Sequence, residues 1–158
     1  MVSIEVAEVV KTELEAEKLQ GRNIEVPKPG SRNDSDAILI VGWVLGRTSP
    51  AVAVEIVYDS TVLQSAPVNI QRPDVADAFP EVPGAKQSGF RTTVAVPDTG
   101  ESELLVQAAL QNGSRAPLGV VRVWHNRSGE ERSNESNVQD QPGLVTRFFR
   151  RVLGRGGG

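Results

Sequence analysis

Apolar and polar positions alternate with a period of two through much of residues 37–124. That period sends successive side chains to opposite faces of an extended strand. Residues 51–58 put Val52, Val54, Ile56 and Tyr58 on one face. Asp59-Ser60 then reads as a tight turn and residues 61–64 as the returning arm of a β-hairpin. Residues 37–45 are apolar almost throughout, too uniformly so for a surface edge, and Gly42 beside Trp43 predicts a bulge or a close backbone approach next to a large ring. Residues 90–96, 104–110 and 118–124 add three strands, and Asn112-Gly113 marks a hairpin turn between the last two. Seven or eight strands with turn signals every 8–12 residues predict an all-β, antiparallel sandwich.

The ends follow other patterns. Residues 2–10 are rich in β-branched side chains and predict a first strand at 3–10, while residues 11–20 are good helix formers. Residues 24–26 predict a short extended piece before Pro27. From residue 126 to 143 the chain is rich in Asn, Ser, Glu and Gln and reads as a flexible linker. Residues 144–158 recover a helical period, with Leu144, Val145, Phe148, Phe149, Val152 and Leu153 interleaved with Arg147, Arg150, Arg151 and Arg155 before a glycine-rich end. The domain expectation is a sandwich at 1–125, a linker at 126–143 and a short basic amphipathic helix at 144–158.

Composition narrows the core. Aromatics are only 4% of the chain, so the interior must be built from Val, Ile, Leu and Ala. There is no cysteine, hence no disulfide and no thiolate metal site. The net charge of −3 hides an asymmetry: residues 141–158 carry +4, which leaves −7 on residues 1–140. An acidic body argues against nucleic acid as a partner. No apolar run has the length of a membrane span, and the opening Met-Val-Ser-Ile-Glu has no signal-peptide character. The expected location is cytoplasmic, or peripheral to a membrane.

The stretch 71–90 is the most distinctive, holding three of the ten prolines and two of the four phenylalanines. Pro73 suits the first position of a helical turn and Asp74 its first turn. Val75, Ala78 and Phe79 fall on one face, and Pro80 stops the turn. Phe79 is expected to drop into the sandwich edge as an anchor. Ser88-Gly89 relaxes the backbone before Phe90 enters the next strand.

The Gly42-Trp43-Val44-Leu45 strand, followed by Arg72-Pro-Asp-Val-Ala-x-Ala-Phe-Pro and later Ser88-Gly-Phe, resembles a bacterial immunoglobulin-like β-sandwich module. The resemblance spans roughly residues 22–124. It implies an Ig-like fold and a setting beside glycosyltransferases and methyltransferases of cell-surface biosynthesis. It implies no catalytic role. The module then works alone or forms the accessory end of something larger.

Candidate chemistry is sparse. Arg72, Asp74 and Asp77, with Phe79 nearby, form either a sugar-binding edge or a set of contacts that holds the loop's shape. The carboxylate pairs Asp74/Asp77 and Asp34/Asp36 lie in short polar turns without the apolar walls a catalytic acid needs. Residues 33–36 loosely follow a calcium loop but lack its glycine and distal glutamate, so turn chemistry is expected and no metal or other cofactor is. His125, the sole histidine, has no nucleophile at a recognisable elbow and is expected to be structural and half-exposed. Trp43 is expected between the sheets; Trp124 adjoins the linker, and burial is expected for it over an exposed ring stacked on a sugar.

The expected function is a non-catalytic interaction or carbohydrate-associated accessory module, linked through the resemblance to bacterial envelope or polysaccharide biosynthesis. Its partner would be a protein or a glycan. The alternative is a peripheral adaptor in which residues 144–155, through Arg147, Phe148, Phe149, Arg150, Arg151 and Val152, meet an anionic membrane surface or a partner.

Overall fold

The computed structural model describes residues 2–126. Ser3–His125 form a compact unit. Among the described residues the strands are β1 (Ser3–Lys11), β2 (Leu19–Val26), β3 (Arg32–Asn33), β4 (Ala37–Gly46), β5 (Ala51–Tyr58), β6 (Thr61–Pro67), β7 (Gly89–Ala95), β8 (Gly100–Leu110) and β9 (Arg115–Asn126). A single short helix, α1 (Pro73–Ala78), and a 3₁₀ turn at Ala85–Gln87 occupy the central connection. The strands make a six-stranded sheet, ordered β3-β1-β9-β8-β5-β6, and a three-stranded sheet, ordered β2-β4-β7. The hairpin pairs β5–β6 and β8–β9 are antiparallel, as are β2–β4, β4–β7 and β5–β8. The all-β, two-sheet expectation holds.

One aliphatic core lies between the sheets. Ile4, Val54, Ile56, Leu104, Val106, Leu118 and Val121 come from the larger sheet, and Leu19, Ile38, Ile40, Val44 and Val94 from the smaller. Phe90 is its one fully buried aromatic. The ring fits because Gly42, its partner across β4–β7, has no side chain: a Cβ there would lie 2.9 Å from the Phe90 ring and 2.1 Å from the Asn23 carbonyl oxygen. The predicted close approach at Gly42 is present, and the ring that requires it is Phe90 rather than Trp43.

Other expectations shift. β1 runs as expected, but residues 12–18 are not helical and β2 begins at Leu19, five residues before the predicted piece. The two-residue β3 went unpredicted. Val52 leaves the face it was assigned to and is exposed, because the β5–β8 register slips between Ala51 and Ala53. Asn126, expected to open the linker, ends β9. The rest of that linker and the helix expected at 144–158 lie outside the described residues.

Trp43 corrects the reading of β4 most. Its inner residues Ile38, Ile40, Gly42 and Val44 are buried, and Trp43 lies on the other face, half-buried. The strand is apolar on both faces because the central connection covers one end of its outer face. Leu45 there is buried with Val75 and Ala85, and Trp43, Ala76, Phe79 and Val82 pack around them.

Candidate functional site

The central connection folds as a strap over the β2-β4-β7 sheet. Pro73 begins α1, with Asp74 in its first turn, as the sequence predicts. The Phe79 amide donates to the Val75 carbonyl at 2.9 Å and closes the helix. Gly84 then takes a positive φ of 88° to enter the 3₁₀ turn, a conformation that suits a residue without Cβ. Phe79 does not plug the inter-sheet core. Its ring is half-buried against Trp43, with centroids 5.9 Å apart and planes tilted by 52°. Ala78, expected beside it, is exposed, and Ala76 packs in its place. Gly21 of β2 leaves room for this stack, since a Cβ would come within 3.0 Å of the Trp43 ring.

Arg72 pins the strap. Its Nη1 and Nη2 donate to Glu25 Oε1 and Oε2 of β2 at 2.9 and 2.7 Å. Its Nε and Nη2 donate to Asp74 Oδ1 and Oδ2 at 2.9 and 2.7 Å. The carboxylates of Asp74 and Glu25 raise the Arg72 pKa above its ordinary value, and the guanidinium holds that of Asp74 below its own. Asp77 is exposed and outside this set. The structure thus unites Arg72 with Asp74 and adds Glu25, which sequence reasoning missed. Alternation in β2 places Glu25 opposite the buried Ile24, but no spacing rule names a partner 47 residues away. With Nε, Nη1 and Nη2 all bonded within the protein, the arrangement suits holding the strap more than gripping a ligand.

A second polar cluster sits at the end of β9. His125 is fully buried, not half-exposed. Its Nδ1 lies 2.9 Å from the Asp98 carbonyl oxygen and its Nε2 lies 2.9 Å from Asp36 Oδ1. Tyr58 donates its hydroxyl to Asp98 Oδ2 at 2.7 Å, which raises the Tyr58 pKa. Both ring nitrogens are therefore engaged within the fold, one by a backbone carbonyl and one by a carboxylate, and the geometry is that of a cross-link. Asp34 bonds Arg32 at 3.0 Å instead of lining a cation loop. Among the described residues no group of three or more His, Cys, Asp or Glu could hold a metal ion.

The outer face of the six-stranded sheet is different in kind. Register aligns Val62 with Val57, Val57 with Leu105, and Leu105 with Val120, an aliphatic row across β6, β5, β8 and β9. Val62 is exposed and the other three are half-buried. On one side of this row, Glu55 is paired with Arg115 and Gln107, each at 2.9 Å. The Arg115 guanidinium is the main reason that the Glu55 carboxyl is held below its usual pKa. On the other side, Arg122 bonds Glu103 at 2.6 Å and also Glu8, with Glu101 at 3.7 Å. Beyond them Trp124, opposite Glu101, is 47% exposed instead of buried as expected, because it shares the outward parity of Val120 and Arg122 in β9. No feature of the sequence separated this face from the buried one except the parity of the strands.

No protein-family model, curated protein or solved structure matches the chain. Among the described residues no helix is long and apolar enough to cross a membrane. Arg147, Phe148, Phe149, Arg150, Arg151 and Val152 lie outside the described residues.

Proposed function

We propose that the chain is a non-catalytic interaction module with an Ig-like sandwich, and that it binds a protein partner through the outer face of its six-stranded sheet. The observation that carries this reading is the aliphatic row Val62–Val57–Leu105–Val120, flanked by charged pairs and ended by the exposed Trp124. An apolar centre within a polar rim, with Trp and Arg present, is the anatomy of a recognition surface. The row is aliphatic, which suits burial against protein side chains better than stacking on sugar rings. The carbohydrate-associated role, and the link to envelope or polysaccharide biosynthesis, rest on the resemblance carried by residues 42–45 and 72–90. The internal pairing of Arg72 favours the strap over a sugar edge.

The test compares the proteins retained by the whole chain with those retained by a Leu105→Asp variant of unchanged thermal stability, alongside a glycan array. Proteins held by the first and lost by the second support the reading. An identical set on both, or binding to glycans only, overturns it.

A second reading, a peripheral membrane adaptor, is favoured by the sequence of residues 144–155, where four arginines accompany Phe148, Phe149, Val152 and Leu153 without an acid. Co-sedimentation with anionic vesicles decides it, using the whole chain and its Arg147→Glu, Arg150→Glu, Arg151→Glu form. Equal recovery of both in the supernatant removes the reading.

A further inference from the structure

We infer that the Trp124 end of this face takes an extended, basic segment of a partner protein. The inference rests on the reading above and narrows it to one chemistry.

Charge is the first argument. Three carboxylates, Glu8, Glu101 and Glu103, share the one guanidinium of Arg122. Their side chains are half or more exposed, between 50% and 64%, so among the described residues the patch sets three carboxylates against the one guanidinium of Arg122. An exposed indole sits directly across the β8–β9 pair from one of them. The face of an indole attracts a cation, and adjacent carboxylates add to that attraction. A basic side chain satisfies both groups, whereas an acidic one meets repulsion from the three glutamates.

Spacing is the second argument. On one face of a strand, side chains two residues apart are separated by ~7 Å. Along β9 the outward positions Val120, Arg122 and Trp124 therefore present an aliphatic row, an anionic row and an aromatic ring at that interval. An extended peptide has the same repeat. An apolar side chain over Val120 and Leu105 would place its second neighbour over the glutamates and its fourth over Trp124. A helix, with a period of 3.6 residues, matches these rows less well.

The experiment follows the Trp124 indole N–H by NMR in the whole chain, with Trp43→Phe used for assignment. The probes are synthetic peptides repeating Leu-Ser-X-Ser, with X as arginine, glutamine or glutamate, and an uncharged oligosaccharide. The same titrations on the Arg147→Glu, Arg150→Glu, Arg151→Glu chain remove competition from those three arginines of the chain itself. The arginine peptide is expected to shift the Trp124 signal, to bind about tenfold more weakly to Glu101→Gln/Glu103→Gln, and to weaken further with salt. Trp124→Ala is expected to abolish the accompanying shifts at Leu105 and Val120. Glutamine or glutamate peptides that bind the face as well as the arginine peptide overturn the inference and leave the protein-binding reading standing. A Trp124 response to the oligosaccharide alone overturns both. If no probe perturbs the face, the inference fails, and the comparison of retained proteins with Leu105→Asp decides the broader reading by itself.

Discussion

The guanidinium of Arg72 closes on the carboxylate of Glu25 through two hydrogen bonds, Nη1 to Oε1 at 2.9 Å and Nη2 to Oε2 at 2.7 Å. This fork joins the central strap to β2 and sets how the strap crosses the smaller sheet. Arg72 is 16% exposed, so the pair is partly shielded from water. Replacing Arg72 by Met keeps the apolar stem and removes the fork. The expected loss is about 1–3 kcal/mol, the range for charge-assisted bonds. Lysine should restore only part of it, because an ammonium cannot make the bidentate contact. Urea unfolding of Arg72→Met, Glu25→Gln and the double variant measures the coupling. Fully additive losses would show that the fork contributes nothing of its own.

Phe79→Ala is expected to cost about 2 kcal/mol. A fully buried Phe truncated to Ala costs about 3–5 kcal/mol, and Phe79 is half-buried in the small strap cluster outside the inter-sheet core. The loss should also expose Trp43 and shift its emission to longer wavelength, with Trp124→Phe used to isolate the signal. An unshifted spectrum would mean that the two rings do not depend on each other.

The strands were legible because burial in a two-sheet fold repeats with the parity of the chain. β5, β7, β8 and β9 were found that way, and the Asn112-Gly113 turn fixed the last hairpin. Parity also explains the error at Trp43. A strand that is apolar on both faces reads as enclosed by sheets, yet here the second cover is the strap, whose path depends on Arg72 meeting Glu25. The strap's own turns were legible from Pro73, Asp74 and Pro80, since these act locally. Long-range pairings such as His125 with Asp36, or Arg122 with Glu8, leave no local trace. Neither does the aliphatic row of the outer face, which exists only after four strands take their register.

Acid should weaken the fold through Glu55 and Asp74. Arg115 is the largest cause of the lowered pKa of Glu55, and Arg72 that of Asp74. A carboxylate with a folded pKa below its unfolded value contributes stability that is fully present above the unfolded value. That stability is lost as pH falls through the folded value. With ordinary values of 4.5 for Glu and 3.8 for Asp, the decline belongs below about pH 4.5. Urea midpoints taken from neutral pH downward should drop in this window, and less steeply in Glu55→Gln. A Glu55→Gln profile parallel to the parent's would show that the Arg115 pair is not a source of the acid sensitivity.

His125→Phe should destabilise the β9 end without touching the strap. The ring is fully buried and both nitrogens are bonded, so a phenyl group of similar size removes two hydrogen bonds and strands the Asp98 carbonyl. The expected cost is about 1–3 kcal/mol. Amide exchange should quicken in β9 near Val123 while the amide of Phe79 keeps its protection. Equal acceleration at both places would mean that the two polar clusters fail together.

Gly42→Ala is expected to be the most damaging small substitution. The added Cβ would lie 2.1 Å from the Asn23 carbonyl oxygen, which belongs to the backbone of β2 and cannot turn aside. It would also lie 2.9 Å from the ring of Phe90, which fills the inter-sheet core. Relief requires β2 to move away from β4, and that movement pulls on the same strand whose Glu25 holds Arg72. Overpacking of this kind costs about 1–3 kcal/mol and more where backbone must shift. The loss should therefore reach or exceed about 3 kcal/mol, and Phe90→Leu in the Gly42→Ala background should recover only the part due to the ring. Full recovery by Phe90→Leu would show that the ring, and not the Asn23 carbonyl, enforces glycine at this position.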